Sequence, residues 1–178
     1  MADLIATNKP RAAPRLARRL TNIEDSRMGI LVNGRANAEV LAREIAQCYI
    51  DRHQCTIAEV VEKGGEETRP YSEDGLKQLG ENCDFLIAAV GDDESSAECL
   101  LLESLTLEQL GTPVLCVCTR EIKPFIEKTA AELGMAYYPL IAVHHPVAGI
   151  SPTEMSARAL HAYQQGWATL TGVFKINA

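Results

Sequence analysis

The sequence contains few aromatic residues: Phe, Trp and Tyr make up 5% of its 178 residues, while 47% are hydrophobic. Its core must therefore be built mainly from Leu, Ile, Val and Ala. No apolar stretch approaches the roughly 18 residues that a membrane-spanning helix needs. The N-terminus is basic but lacks the apolar segment of a secretory signal. These absences predict a soluble cytoplasmic protein with no membrane partner.

The sequence also lacks an excess of positive charge. Seventeen Lys and Arg residues face 24 Asp and Glu residues, which gives a formal net charge of −7. Because phosphate neutralisation needs a basic surface, we expect no nucleic-acid partner. Neither G-x-G-x-x-G nor G-x-x-x-x-G-K-[ST] occurs, so the sequence carries no phosphate-binding motif and we expect no nucleotide or flavin cofactor.

A C-x-x-C motif is absent, although the chain has six cysteines. A disulfide framework belongs to oxidising compartments and to small chains with little core, and neither condition fits this sequence. Cys116 and Cys118 lie in an apolar run, and free cysteine is among the most buried residue types. We therefore predict that these two thiols pack in the core.

Residues 1–26 differ in character from the rest of the chain. Pro10 and Pro14 interrupt any helix there, and a basic cluster surrounds them. This basic N-terminal arm is either a solvated tail or a segment that embraces an acidic partner subunit. Residues 27–178 are predicted to form a single α/β domain.

Short apolar runs alternate with helical periodicity throughout that domain. The predicted strands are 28–32, 56–61, 84–90, 113–118 and 138–143, and the predicted helices are 36–53, 72–79, 95–110, 123–133 and one that starts at 151. Such alternation predicts a three-layer α/β sandwich with a five-stranded, mostly parallel sheet. Five strands suit the flavodoxin-like order 2-1-3-4-5, whose switch point lies between the first and third strands.

Polar residues follow the predicted strands at the edge where an α/β sheet binds its ligands. They are Asn33 and Asn37 after the first strand, Asp92, Asp93, Ser95 and Ser96 after the third, Thr119 after the fourth, and His144 and His145 after the fifth. We predict a small-molecule site in which Asp93, Ser96 and His145 transfer protons, while the other six bind substrate. The alternative is that Asn33 and Asn37 serve a turn and a cap, and that Asp92 or Asp93 only caps a helix.

The loop after the third strand places Asp92, Asp93 and Glu94 at a helix N-terminus, where anions are favoured. Its own carboxylates thus fill the position that a phosphate would take. Repulsion between like charges is expected to raise the pKa of one carboxyl group for acid–base work. No spacing here is that of a metal site, so no metal is predicted.

Four segments resemble the UGSC family, small bacterial proteins named for a selenocysteine (or cysteine)-Gly-Ser-Cys motif that follows Gly-Asp at the end of a central strand. The segments are NGRANAEVLA (33–42), AVGD (89–92), GTPVLCVCT (111–119) and HHPVAGISPTE (144–154), within a resemblance that spans residues 14–171. The family resemblance implies thiol or selenol redox activity. Here Asp93, Glu94, Ser95 and Ser96 occupy the four motif positions, so both redox atoms are absent.

Three functional hypotheses follow. The first is a subunit of a small-molecule metabolic enzyme with non-redox acid–base chemistry of the lyase or hydratase type. The second is a catalytically silent subunit that pairs with a motif-bearing relative. The third is a thiol redox protein that uses Cys99 with Cys116 or Cys118. The basic arm and the face of the last helix that carries Tyr163 and Trp167 predict a homodimer, or a heterodimer with a related subunit.

Overall fold

A computed structural model describes residues 15–63 and 69–172, and in this part of the chain five strands alternate with five helices. The strands are β1 (Arg27–Val32), β2 (Thr56–Glu62), β3 (Phe85–Gly91), β4 (Val114–Thr119) and β5 (Leu140–Val143). The helices are α1 (Ala38–His53), α2 (Glu73–Asn82), α3 (Glu94–Leu110), α4 (Lys123–Glu132) and α5 (Pro152–Thr171). Within the described residues, no helix is both long and apolar enough to cross a membrane.

The strands form one sheet in the order β2-β1-β3-β4-β5, and every neighbouring pair is parallel. Ile30 in β1 lies opposite Ile87 in β3, and Ala88 in β3 lies opposite Cys116 in β4. Strands covered on both faces need continuous apolar sequence, which is why all seven residues of β3 are buried. The predicted flavodoxin-like α/β fold is confirmed.

Each face of the sheet has its own hydrophobic core, because successive strand residues point to opposite sides. Ile30 and Ile87 pack with Tyr49 of α1 and Ala159 of α5 on one face. The other face joins β strands to α2, α3 and α4 through apolar residues that include Leu31, Leu79, Leu101 and Ile126. Two cores on either side of one sheet give the predicted three layers.

Helix α2 continues to Asn82, three residues beyond the predicted end at residue 79, where Gly80 was expected to stop it. Gly80 lies inside the helix and close to the segment before β4. A Cβ atom at this position would lie 2.9 Å from Thr112 Oγ1. The glycine therefore permits a close contact between elements and does not end the helix.

Part of the predicted arm, from Arg15 to Ser26, packs on its own domain. The backbone N–H of Ala17 donates to Glu108 Oε2 at 2.7 Å, and the Arg19 guanidinium pairs with the same carboxylate. The Leu20 N–H donates to the carbonyl of Leu170 at 2.8 Å. Residues 1–14, with Lys9, Arg11 and both prolines of the arm, lie outside the described residues. Arg19 of the predicted arm is thus paired with an acidic residue of its own chain, Glu108.

The face of α5 that was predicted to mediate association is partly used inside the chain. The ring of Tyr163 packs edge-on against Tyr49, with ring centroids 4.9 Å apart, and its hydroxyl is hydrogen-bonded to His53 Nε2 at 2.8 Å. Leu160 and Trp167 remain exposed. Of the large hydrophobic side chains of α5, these two offer apolar surface to a partner.

Candidate functional site at the carboxyl edge of the sheet

The predicted site residues lie at one edge of the sheet, because parallel strands end on the same side. Val32 at the end of β1 lies opposite Ala89, and Thr119 at the end of β4 lies opposite Val143. The segments that follow β1, β3, β4 and β5 therefore emerge together. This arrangement brings all nine predicted site residues to the same end of the fold.

Asn33 is fully buried and joins β1 to β3. Its side-chain Nδ2 donates to the carbonyl of Val90 at 2.7 Å, and its Oδ1 accepts the N–H of Val90 at 3.2 Å. The Ala89–Val90 peptide bond beside it is cis. Thr119 is also fully buried, and its Oγ1 has no hydrogen-bond partner among the described residues. Both side chains thus lie beneath the surface of the edge.

Arg35 pairs with two carboxylates of the acidic loop. Its Nε donates to Asp92 Oδ1 at 2.7 Å, and its guanidinium also pairs with Asp93 Oδ2. The three side chains are partly exposed, so the cluster borders solvent. Sequence reasoning missed Arg35 as a site residue. The available signal was its charge, opposite to that of the acidic loop, in the loop that follows the neighbouring strand.

Asp93 is the N-cap of α3. Its Oδ1 accepts the backbone N–H of Ser96 at 2.9 Å and the hydroxyl of Ser95 at 2.8 Å. Partial burial raises the pKa of Asp93, but these hydrogen bonds and the Arg35 charge outweigh burial and hold the pKa below its ordinary value. The expectation of a raised carboxyl pKa in this loop is therefore wrong for Asp93.

Ser96 is completely buried within the first turn of α3. Its hydroxyl donates to the carbonyl of Asp93 at 3.3 Å and lies 3.5 Å from Asp92 Oδ1. His145 is exposed in the loop after β5, and no hydrogen bond among the described residues joins it to Asp93 or Ser96. The three predicted catalytic residues share the sheet edge without forming one hydrogen-bonded group.

The loop that contains His144, His145 and Pro146 is held from two sides. Asn37 Nδ2 donates to the carbonyl of Val147 at 3.3 Å, and Arg158 of α5 donates to the carbonyl of His144 at 2.9 Å and to that of Pro146. Asn37 precedes α1 in the left-handed conformation, with φ 62°, and its side chain makes no cap hydrogen bond. The alternative that it caps α1 is wrong, because its amide reaches across to this loop instead.

A cleft of about 290 Å³ opens beside this loop, between the end of β5 and α5. It is lined by Arg120, Val143, His144, Glu154, Ala157, Arg158 and His161. Hydrogen bonds from the backbone and side chain of Ser151 lower the pKa of Glu154 and keep this carboxylate in the capping box of α5. Arginine and histidine side chains thus dominate the polar lining, which favours a small anion. Of the predicted site residues, His144 alone lines this cleft.

The cysteines of the sheet are core residues, as predicted. Cys116 and Cys118 are fully buried in β4, and burial raises the pKa of Cys116 to about 12 and raises that of Cys118 too. Cys99 on α3 is 4% exposed, and burial raises its pKa. All described cysteines are free thiols. This environment keeps the thiols protonated at neutral pH.

Among the described residues, no three His, Cys, Asp or Glu side chains are placed to hold a metal ion.

The fold and the position of these residues define an α/β protein with its candidate site at the carboxyl edge of a doubly wound parallel sheet. The family model of the UGSC family matches residues 5–172, so the chain belongs to the UGSC family. No curated protein matches the chain. The predicted family resemblance is confirmed, and the four positions of the family's motif fall on the N-cap and first turn of α3.

Proposed function

We propose that the chain is a subunit of a small-molecule metabolic enzyme with non-redox acid–base chemistry of the lyase or hydratase type. Its substrate is a small carboxylate-bearing molecule. The observation that carries this proposal is the cleft of about 290 Å³ that is lined by Arg120, His144 and His161. Its volume is close to the lower end of the range of small-molecule sites.

The lining supports an anionic substrate. A guanidinium binds a carboxylate through two parallel hydrogen bonds, and Arg120 is an exposed arginine that lines the cleft. Imidazole is the commonest proton-transfer group of active sites, and His144 lines the cleft. Asp93 and Ser96 serve as framework in this proposal, because they bond each other and the start of α3.

Binding can be tested with a panel of small dicarboxylates and hydroxy acids. We expect at least one to raise the melting temperature of the wild type, and Arg120→Ala to reduce its affinity by about tenfold or more, the loss of one charge-assisted pair. Arg18→Ala, at an exposed arginine outside the cleft, is the matched control. Binding that survives both substitutions unchanged would contradict the assignment of the cleft.

Turnover then separates binding from chemistry. Once a bound compound is identified, His144→Gln, at a histidine that lines the cleft, should reduce kcat by about 10²-fold, since an amide hydrogen-bonds but does not exchange a proton. Full activity of this variant would exclude His144 as the acid or base. His145→Gln is the control: because His145 does not line the cleft, both kcat and substrate affinity should change little.

A silent partner subunit is the second candidate. It is favoured by the way Asp93 and Ser96, at the motif positions, satisfy their hydrogen bonds inside the chain. In that case a motif-bearing UGSC protein should co-purify with this chain, through the exposed Leu160 and Trp167 of α5.

Light scattering would distinguish a homodimer from such a heterodimer. A homodimer of this chain has twice the mass of 19.4 kDa without any other protein, and Trp167→Glu should dissociate it. A stable monomer with no partner would contradict both forms of assembly.

A further inference from the structure

A second group of chemically active side chains lies away from the cleft, between the end of β2 and α3. Lys63 follows β2, and its side chain is 3% exposed. Its Nζ lies 2.6 Å from Glu103 Oε1 and 3.1 Å from Cys99 Sγ. Glu103 is 1% exposed, so an amine, a carboxyl group and a thiol meet in a nearly water-free space.

The surroundings leave this group incompletely paired. Glu103 Oε1 also accepts the N–H of Tyr71 at 2.8 Å, but Glu103 Oε2 is buried with no hydrogen-bond partner among the described residues. The Tyr71 hydroxyl likewise lacks a partner there, and Lys63 Nζ lies 5.6 Å from the centre of the Tyr71 ring. Charges are thus more poorly solvated here than in an ordinary surface ion pair.

Burial favours the neutral forms of Glu103 and Cys99. It raises the pKa of Glu103 against the opposing effect of Lys63, and it raises the pKa of Cys99, with Glu103 adding to that rise. A proton that moves from the Lys63 ammonium to Glu103 leaves an uncharged amine, whose nitrogen carries a lone pair. That amine is in contact with a thiol sulfur, and no second thiol is bonded to it.

We propose that Lys63 and Cys99 form a covalent cross-link in which one oxygen atom bridges Nζ and Sγ, and that dioxygen is the oxidant. One atom of dioxygen is inserted between nitrogen and sulfur. The other atom leaves as water with the thiol hydrogen and one amine hydrogen. Sulfur and nitrogen each lose two electrons and dioxygen accepts all four, so atoms and electrons balance. The modification is independent of the proposed enzymatic activity.

The geometry favours the oxygen-bridged product over the sulfinic and sulfonic acids of Cys99. Nitrogen and sulfur are 3.1 Å apart, and a single bridging oxygen atom requires them to move only slightly closer together. Glu103 is placed to accept the ammonium proton that must leave first. Exclusion of water slows the competing conversion of the thiol to sulfinic and sulfonic acids, which needs a hydrated, accessible thiolate.

Intact-protein mass spectrometry tests the proposal. Purified full-length protein is incubated in oxygenated buffer, and a parallel sample is incubated without oxygen. We expect a gain of about 14 Da, one oxygen atom less two hydrogens, that excess dithiothreitol reverses. After trypsin, the product should retain an uncleaved Lys63 and join the peptides 53–77 and 78–120.

Matched variants assign the bond. Cys99→Ser and Lys63→Arg should abolish the gain, and Lys63→Arg keeps the positive charge beside Glu103 so that the chain still folds. Cys48→Ser, at the partly exposed thiol of α1, should leave the gain unchanged. An unchanged mass in the oxygenated wild type overturns the proposal. So does oxidation of Cys99 without loss of Lys63 cleavage, or a disulfide between Cys99 and another cysteine.

Discussion

At the residue scale, the carboxylates of Asp92 and Asp93 in the acidic loop are already paired with groups of the same chain. Asp93 bonds the N-terminus of α3, and Arg35 joins it to Asp92 across the gap between β1 and β3. The loop that carries the motif positions thus forms a helix cap and an ion pair. The loop is held by interactions that depend on an ionised Asp93.

The lowered pKa of Asp93 predicts how stability depends on pH. The folded-state pKa lies below the unfolded value of about 3.9, so the ionised side chain stabilises the fold above about pH 4 and loses this effect as pH falls further. In Asp93→Asn the amide keeps the cap but not the charge. The difference in free energy of unfolding between wild type and variant should therefore shrink from pH 6 to pH 3, as urea titrations can measure.

The control for this prediction is Asp74→Asn, at an exposed aspartate in the first turn of α2. Its difference from wild type should change less over the same range. A pH-independent difference for Asp93→Asn would mean that its ionisation does not contribute to folding. In that case the ion pair with Arg35 would be a surface contact of no energetic weight.

At the element scale, α3 starts unusually close to the end of β3. A Cβ atom on Gly91 would lie 2.9 Å from Ala97 Cβ and 3.1 Å from Ala97 Cα. This contact fixes the first turn of α3, and with it Asp93 and Ser96, against the sheet. Glycine is needed at this position because no larger residue fits without moving the helix.

Gly91→Ala should therefore destabilise the protein by about 2 kcal/mol, a typical overpacking cost. Ala97→Gly alone should cost about 1 kcal/mol, because glycine is a poor helix former. The double variant should be more stable than the sum of the two effects predicts, since removing the Ala97 methyl group removes the closest contact and leaves the one to Ala97 Cα. Additive effects in chemical denaturation would contradict this interpretation of the contact.

At the element scale, the sequence predicts which segments form strands and helices. Largely apolar runs predicted all five strands, and the run is uninterrupted in β3, where both faces of the strand are covered. The Ser151 capping box was also readable, because the Ser and Glu that form it are three residues apart. Gly80 misled the prediction, because its role depends on Thr112, 32 residues away.

Side-chain partners at the edge could not be predicted in the same way. Arg35 meets Asp92 over a separation of 57 residues, and Asn37 meets Val147 over 110. Periodicity places these residues at one edge of the sheet but does not determine side-chain direction. Asp93, Ser96 and His145 therefore lie at the same edge of the sheet, but hydrogen bonds do not join them, and their catalytic role stays a prediction.

At the scale of the whole molecule, the segment before β1 packs against α3 through Ala17 and Arg19. Glu108 is completely buried and accepts hydrogen bonds from the N–H groups of Ala17 and Val114 as well as pairing with Arg19. Removing one partner of such a pair leaves a charge without compensation in a low-dielectric interior. The segment thus contributes to stability from a position distant in sequence.

Arg19→Leu should lower the free energy of unfolding by about 3 kcal/mol, the usual cost of breaking a buried ion pair. Arg18→Leu, at the exposed neighbouring arginine, should change it by less than about 0.5 kcal/mol. Equal effects of the two substitutions would show that the segment adds no more than a surface contact. Denaturant unfolding at neutral pH measures both.

The hydrogen bond between Leu20 and Leu170 has a consequence for how the chain can be rearranged. These residues are 150 positions apart in sequence, so the two ends of the described fold lie side by side. A short linker could therefore join these two ends, and new termini could be opened in the loop of Tyr137, which is 94% exposed. In such a circular permutant the sheet order would stay the same, while β5 and α5 would become the first elements to be synthesised.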